Sequence, residues 1–294
     1  MSLLNTDNAP GQKPAARISE VKVVSYLLLV LSLATLFWGS SPCLAARGGP
    51  ERTQKVHLED LRLSITNSPK GPYVLQFSKR GRVVYTAECA FRIRDPKIIH
   101  EIPGSRCRSL LAYCFSGGAH CCMSLIIASN CDSKENLSVV DLAHSDREVK
   151  FIAVGSRGEK ALKATDWQFA YYCPEDSDLL LSFADSPGMT RLLVFTDGNW
   201  RTDRVGEYGD FYNRLYREAA HTAKIAARKG KDPEVIAGGA IKAVYYGVMS
   251  GKPVEWATSE LALLLPPSWR HHSVKIIEDI RRAALEFNPV EKIE

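Results

Sequence analysis

Residues 191–211 read RLLVFTDGNWRTDRVGEYGDF, and a change of period inside this stretch decides the architecture. Its first part, Arg191–Thr196, is a short apolar run closed by Asp197-Gly198-Asn199. A run of that length ended by Asp-Gly reads as a buried strand followed by a tight turn. Its last part opens onto Asp210-Phe211, after which Phe211, Leu215, Ala219, Thr222 and Ala226 recur at helical spacing up to Gly230. The chain therefore passes from strands to helices near residue 206.

Upstream of that point the pattern is one of short apolar runs separated by Gly, Pro, Asn and Asp. Tyr73–Ser78 and Arg82–Ala87 flank Lys79-Arg80-Gly81 as a hairpin, and Leu110–Phe115 and Met123–Ser129 flank a second one. Leu137–Leu142, Lys150–Val154, Trp167–Tyr172 and Leu179–Phe183 follow at spacings typical of antiparallel sheets. The reading is a cysteine-rich β domain over 47–206, a sandwich or a propeller-like array.

Downstream, Asp210 is read as the cap of the first helix. Asp232-Pro233 starts a second, with Ile236, Ile241, Val244, Tyr245 and Val248 inward. Pro253 to Leu265 is a third helix. Ser268 caps a fourth, with Val274, Ile277, Ile280, Ala284 and Phe287 inward. The fold class is thus mainly β, antiparallel, followed by a C-terminal α-helical module over 207–294.

Residues 1–46 read as a polar head and a signal peptide. No residue from Val23 to Ala46 is charged, Gly39 to Pro42 break any helix, and Cys43-Leu44-Ala45-Ala46 offers small residues for cleavage. The alternative is a retained signal anchor, and membrane contact is expected only in that case. Either way the globular part lies outside the cytoplasm, periplasmic or secreted.

The chain has 294 residues, 45% of them apolar and 24% charged, so a packed core is expected. Its net charge of +5 is spread out, without a run of like charges, which argues against nucleic-acid binding. It carries no G-x-S-x-G elbow, H-E-x-x-H helix, P-loop or dinucleotide fingerprint, and no cofactor is expected. His271-His272 reads as a solvated helix start.

The densest chemistry lies at Phe115-Ser116-Gly117-Gly118-Ala119-His120-Cys121-Cys122. Gly117 and Gly118 permit a tight reversal. Beyond the signal there are Cys89, Cys107, Cys114, Cys121, Cys122, Cys131 and Cys173, an odd set with no C-x-x-C pair, which favours disulfides in an oxidising compartment. Pairing outward from the turn brings Cys114 to Cys122 or Cys121 and Cys107 to Cys131, leaving Cys121 for Cys89 or Cys173. The rivals are a strained vicinal Cys121–Cys122 bridge and a metal site using His120, Cys121 or Cys122, and Cys114.

The string Ser116 to Cys122, together with Asp166-Trp167-Gln168-Phe169-Ala170-Tyr171 and Phe183-Ala184-Asp185-Ser186-Pro187-Gly188-Met189-Thr190-Arg191, resembles a family of largely uncharacterised exported bacterial proteins. Members carry a G-G-A-H-C-C motif and are similar to FG-GAP or VCBS-type β-repeat proteins. The resemblance spans roughly residues 105–265. It implies a periplasmic β-repeat fold with a helical tail and brings no catalytic residues. The acidic calcium loop of such repeats is not reproduced at Asp141–Glu148, which lacks the glycines, so no calcium is expected there.

These features point to a non-catalytic binding or structural module whose partner is an envelope protein or a glycan. The alternating aromatics Trp167, Phe169, Tyr171 and Tyr172 read either as core or as a carbohydrate or peptide platform. One alternative is a thiol-redox or metal-binding protein centred on His120, Cys121 and Cys122. A further one is a hydrolase using Asp166 and Asp185, each of which otherwise caps a turn.

Overall fold

The computed structural model describes residues 52–67, 72–90, 97–100, 107–115, 123–131, 134–142, 150–155, 159–174 and 179–293. Residues 1–46, read above as a signal segment, residues 143–149 and the cluster Gly117, Gly118, His120, Cys121 and Cys122 lie outside the described residues.

Among the described residues the strands form three successive antiparallel meanders. The first contains β1 (Arg52–Leu58), β2 (Leu61–Asn67), β3 (Tyr73–Lys79) and β4 (Arg82–Cys89). The second contains β5 (Lys97–His100), β6 (Arg108–Phe115), β7 (Met123–Cys131) and β8 (Lys134–Asp141). The third contains β9 (Lys150–Val154), β10 (Glu159–Asp166), β11 (Met189–Thr196) and β12 (Asn199–Thr202). Two hairpins close as their turn residues require. Arg80-Gly81 and Asp197-Gly198 all have positive φ, the two-residue turn whose twist matches the flanking strands.

The meanders stack face to face. Leu63, Leu75 and Phe77 of the first sheet pack on Leu110, Ala112, Ile126 and Ala128 of the second. The opposite face of that second sheet, through Leu111, Tyr113, Leu125 and Ile127, packs on Leu162, Leu193 and Trp200 of the third. The middle sheet is therefore covered on both sides, which explains why β6 and β7 read as unbroken apolar runs. Buried polar atoms are matched where sheets meet. Trp200 Nε1 donates to Ser129 Oγ at 3.3 Å, and Ser129 shares a 2.8 Å hydrogen bond with Ser109.

The remaining face of the third sheet is closed by helices α1 (Gly209–Arg228), α2 (Pro233–Met249), α3 (Val254–Leu264) and α4 (Ser273–Glu286). Ala161, Leu192 and Val194 share one core with Ala240, Ile241, Val244, Leu261, Trp269 and Ile280. The boundary near residue 206 is a change of element inside one compact unit, Pro50–Glu294. A last strand, β13 (Val290–Ile293), returns to pair with β8. None of the described helices is long and apolar enough to cross a membrane.

Several sequence expectations are corrected. Trp167–Tyr172 and Leu179–Phe183 are not strands, because β10 ends at Asp166 in a turn and the chain returns only at Met189. Asp210 lies inside the first turn of α1, where its charge suits the helix dipole, and Tyr208 is the N-cap. Ser268 sits in a 3₁₀ turn, Pro267–His272, that carries Trp269 into the core. The helix proper starts at Ser273, and that shift of phase leaves Val274 68% exposed instead of inward.

Candidate functional site

The described residues bring chemistry together where β10, β11 and α2 meet. Asp166, at the end of β10, is fully buried. Its Oδ1 accepts from the backbone N–H of Gln168 at 2.9 Å, the bond that turns the chain out of the strand. Its Oδ2 accepts from the Tyr245 hydroxyl at 3.0 Å. Tyr245 in turn accepts from Nη1 of Arg191 at 3.0 Å, and that guanidinium pairs through Nε with Asp203 Oδ1 at 3.1 Å. Arg191 also donates to the carbonyls of Asp203 and Ala284 and lies over the Phe287 ring. Asp203 accepts further bonds from the Tyr212 hydroxyl and the Leu192 N–H.

Both carboxyl groups are shifted. Burial pushes the Asp166 and Asp203 carboxyls above the usual range, and Arg191 with the tyrosine and backbone donors pulls the other way. Burial raises the hydroxyls of Tyr212 and Tyr245 as well. For Arg191 desolvation favours the neutral form, but Tyr245 and Asp203 outweigh it and keep the cation. The polar side-chain atoms named are committed to partners inside the protein, so the cluster acts as a clamp joining strand, helix and the segment after β12. It presents no reactive group to solvent.

None of Arg191, Asp203, Tyr212 and Tyr245 is assigned a polar role from the sequence: Tyr245 is expected only in an inward apolar stripe, Arg191 only at the start of a strand run and the end of a motif string, and Asp203 and Tyr212 are not singled out. The signal was present: an arginine interrupts the apolar run of β11, and two tyrosines interrupt the nearly uncharged helix that became α2. A cation in the middle of a buried strand requires an anion within reach.

Asp185 is placed differently from Asp166. It is not part of the buried cluster. Its Oδ2 accepts from Ser182 Oγ at 2.6 Å and its N–H bonds back to Ser182, which makes it a turn cap. The carboxylate pair of the hydrolase alternative is thus divided between a sealed interior and a surface turn.

Trp167 stacks on Phe183, with ring centroids 5.1 Å apart and planes 19° from parallel. Tyr171 lies against the same Phe183 at 5.6 Å and is 48% exposed. Its φ is +53°, held by its N–H donating to Ser186 Oγ at 2.9 Å. Phe169 goes inward to the helical core. The aromatic set is therefore split into a core member and a surface patch, and no strand alternation sorts it.

Next to that turn a pocket of about 310 Å³ opens between Tyr172, Cys173 and α4. Asp279 sits in it, accepting from Tyr172 at 2.8 Å, from Lys275 at 2.9 Å and from Arg282. Although burial works against it, those bonds hold the Asp279 carboxyl below the ordinary value.

The cysteine scheme is revised. Cys114 is bonded to Cys89, with Cα atoms 5.1 Å apart, so it pairs with neither Cys122 nor Cys121, Cys89 is not the partner of Cys121, and Cys114 is removed from any thiolate metal site. The register explains the miss: Cys114 faces Ser124 across the β6–β7 pair. Cys107 is also disulfide-bonded, and one step beyond the Arg108–Asn130 pair its position falls opposite residue 131. The Cys131 side chain lies outside the described residues. Cys173 is exposed and lies 3.4 Å from the Pro174 carbonyl. Among the described residues no group of three or more His, Cys, Asp and Glu side chains is placed to hold a metal ion. Comparison with family models, with curated proteins and with solved structures returned no match for this chain.

Proposed function

We propose that this chain is an exported, disulfide-stapled binding module of the bacterial envelope, with the Trp167–Phe183–Tyr171 patch as its glycan-binding surface. The observation that carries the reading is Tyr171, an exposed aromatic residue in a left-handed backbone conformation. For a residue other than Gly, Asn or Asp that conformation costs about 1–2 kcal/mol and persists where the surroundings impose it. Here the expense goes to holding a ring outward beside two others. The exposed Tyr171 ring, backed by partly buried Phe183 and Trp167, suits the C–H face of a sugar, and the Ser182 and Asp185 turn beside Phe183 adds polar groups suited to hydroxyls.

Export is supported by the Cys89–Cys114 bridge, which joins the first and second sheets and is favoured in an oxidising compartment. The binding-module reading is supported by the closed state of the Asp166–Arg191–Asp203 cluster.

The test is Tyr171→Asn, which tolerates the same backbone and removes the ring. The variant should keep its stability to within about 1 kcal/mol while its retention on purified peptidoglycan sacculi falls about tenfold. Retention equal to the parent's would remove the patch from the ligand surface.

A further inference from the structure

We propose that Lys150, Lys163 and Lys242 form a second site, for a phosphate-class oxyanion of charge near −2. Lys150 and Lys163 are direct cross-strand partners on β9 and β10. The register places them one step along from Ile152 and Ala161 on the face of the third sheet that packs against the helices. Lys242 stands on α2 beside Ile241, which belongs to that same core, and it is half-buried. Lys150 and Lys163 are thus exposed side by side on that face, and Lys242 lies within the field of Lys163.

Two like charges directly opposite in a sheet destabilise the pair, and a neighbouring acid is the usual remedy. Among the described residues none of Lys150, Lys163 and Lys242 forms an ion pair with an acid; Glu218 acts on Tyr246, one turn along α2 from Lys242. Lys163 faces Lys150 on one side and buried Leu192 on the other. One turn away from Lys242 on its own helix stand Gly238, Gly239, Tyr245 and Tyr246. Asp166, the nearest acid along β10, is committed to Tyr245, Gln168 and the field of Arg191. Burial, and then the field of Lys163, press the Lys242 ammonium below its ordinary value, so these two charges act on one another. A small dianion placed between the lysines reverses that repulsion and turns it into charge-assisted hydrogen bonds. The residues differ from those of the aromatic patch, so the two sites stand or fall separately.

The experiment is thermal unfolding of the full chain titrated with inorganic phosphate, against sodium chloride at matched ionic strength. Phosphate should raise the Tm beyond the chloride response, as a ligand that binds only the folded state does. Lys163→Gln and Lys242→Gln should each weaken the apparent phosphate affinity about tenfold. Without phosphate and at low salt, both variants should melt at or above the parent, because a repulsion has been relieved. That second readout shows that a lost response comes from a folded protein. A parallel arm offers vesicles of phosphatidylcholine with and without phosphatidic acid. Lysine-dependent retention on the acidic vesicles assigns the oxyanion to a lipid headgroup, and a response to free phosphate alone assigns it to a soluble anion. A parental phosphate response equal to that of chloride, with no lysine-dependent vesicle binding, overturns the site. So does a phosphate response that both variants retain.

Discussion

Arg191 and Glu207 show how the same chemical pairing differs in worth with burial. Arg191 and Asp203 are 1% and 0% exposed, whereas Arg201 and Glu207 form their pair at 31% and 26%. Removing one partner of a buried pair leaves the other charge stranded, at about 3–5 kcal/mol. Arg191→Met should therefore lose about that much in urea unfolding at neutral pH, while Glu207→Gln should lose less than about 1 kcal/mol. Their pH dependences should run in opposite directions. With the guanidinium gone, burial of Asp203 is opposed by less, and its folded pKa climbs further above the unfolded value. In that window the folded state holds more protons than the unfolded one, so the variant's stability falls as pH rises through it. Its deficit should shrink as pH falls from neutral towards the ordinary carboxyl value of 3.8. Glu207 is the reverse case, since the hydrogen bonds from Arg201, against some burial, lower its carboxyl from 4.5. Its contribution is complete above that value and is lost as pH falls through the depressed pKa. Urea midpoints of parent and Glu207→Gln should accordingly converge in acid. A constant gap down to pH 3 would contradict the assignment.

At the scale of elements, α2 organises the helical half of the molecule because it is buried on nearly every side. Its glycines are contact positions. A Cβ on Gly238 would meet the Asp185 carbonyl oxygen at 2.2 Å, a backbone atom that moves only with its loop. On Gly239 it would meet Ala223, its Cβ at 3.2 Å and its Cα at 3.5 Å. Gly238→Ala should cost about 1–3 kcal/mol through overpacking, and Gly239→Ala should be near neutral because the helix propensity gained, about 1 kcal/mol, offsets a slight crowding. Chemical denaturation of the two variants distinguishes them, and equal losses would show that the 182–188 turn does not rest on α2. This helix also shows what the sequence disclosed. Its start at Asp232-Pro233 and its end before Gly251 were legible because Pro and Gly constrain the backbone locally. Its burial all round was not, since a stripe of five residues was expected where Ala237, Ala240 and Ala243 are also covered. The turn at Trp167–Tyr172 was misread as a strand for a related reason. Aromatic residues fit strands and surface turns alike, and the long-range bond from Tyr245 to Asp166 marks the end of β10 without any local signature.

Across the whole molecule, the layer order follows from which faces are apolar, and the sequence disclosed that only in part. The runs that became β3, β4, β6, β7, β8, β9 and β11, and both two-residue turns at Arg80-Gly81 and Asp197-Gly198, were readable, whereas β1, β2, β5, β10 and β12 were not, and face-to-face stacking depends on partners far apart in the chain. The cysteines carry that information. Cys89 and Cys114 are 25 residues apart, on β4 and β6, and their bridge fastens the first sheet to the second beside a hydrogen bond from the Ala90 N–H to the Phe115 carbonyl. Closing a loop of that length removes about 3.5 kcal/mol of unfolded-state entropy at room temperature. The Cys89→Ser, Cys114→Ser double variant should therefore lose about 3 kcal/mol, read as a lower urea midpoint with a slope equal to or steeper than the parent's, because the unfolded chain without the bridge is more open. A slope shallower than the parent's would contradict an origin in the unfolded chain. Parent protein in excess reductant gives the complementary number. It should fall below the double variant, because Cys107 is also bridged and loses its bond under those conditions. Coincidence of the two midpoints would show that the Cys107 bridge adds nothing to stability and that the sheet-to-sheet strap carries the whole effect.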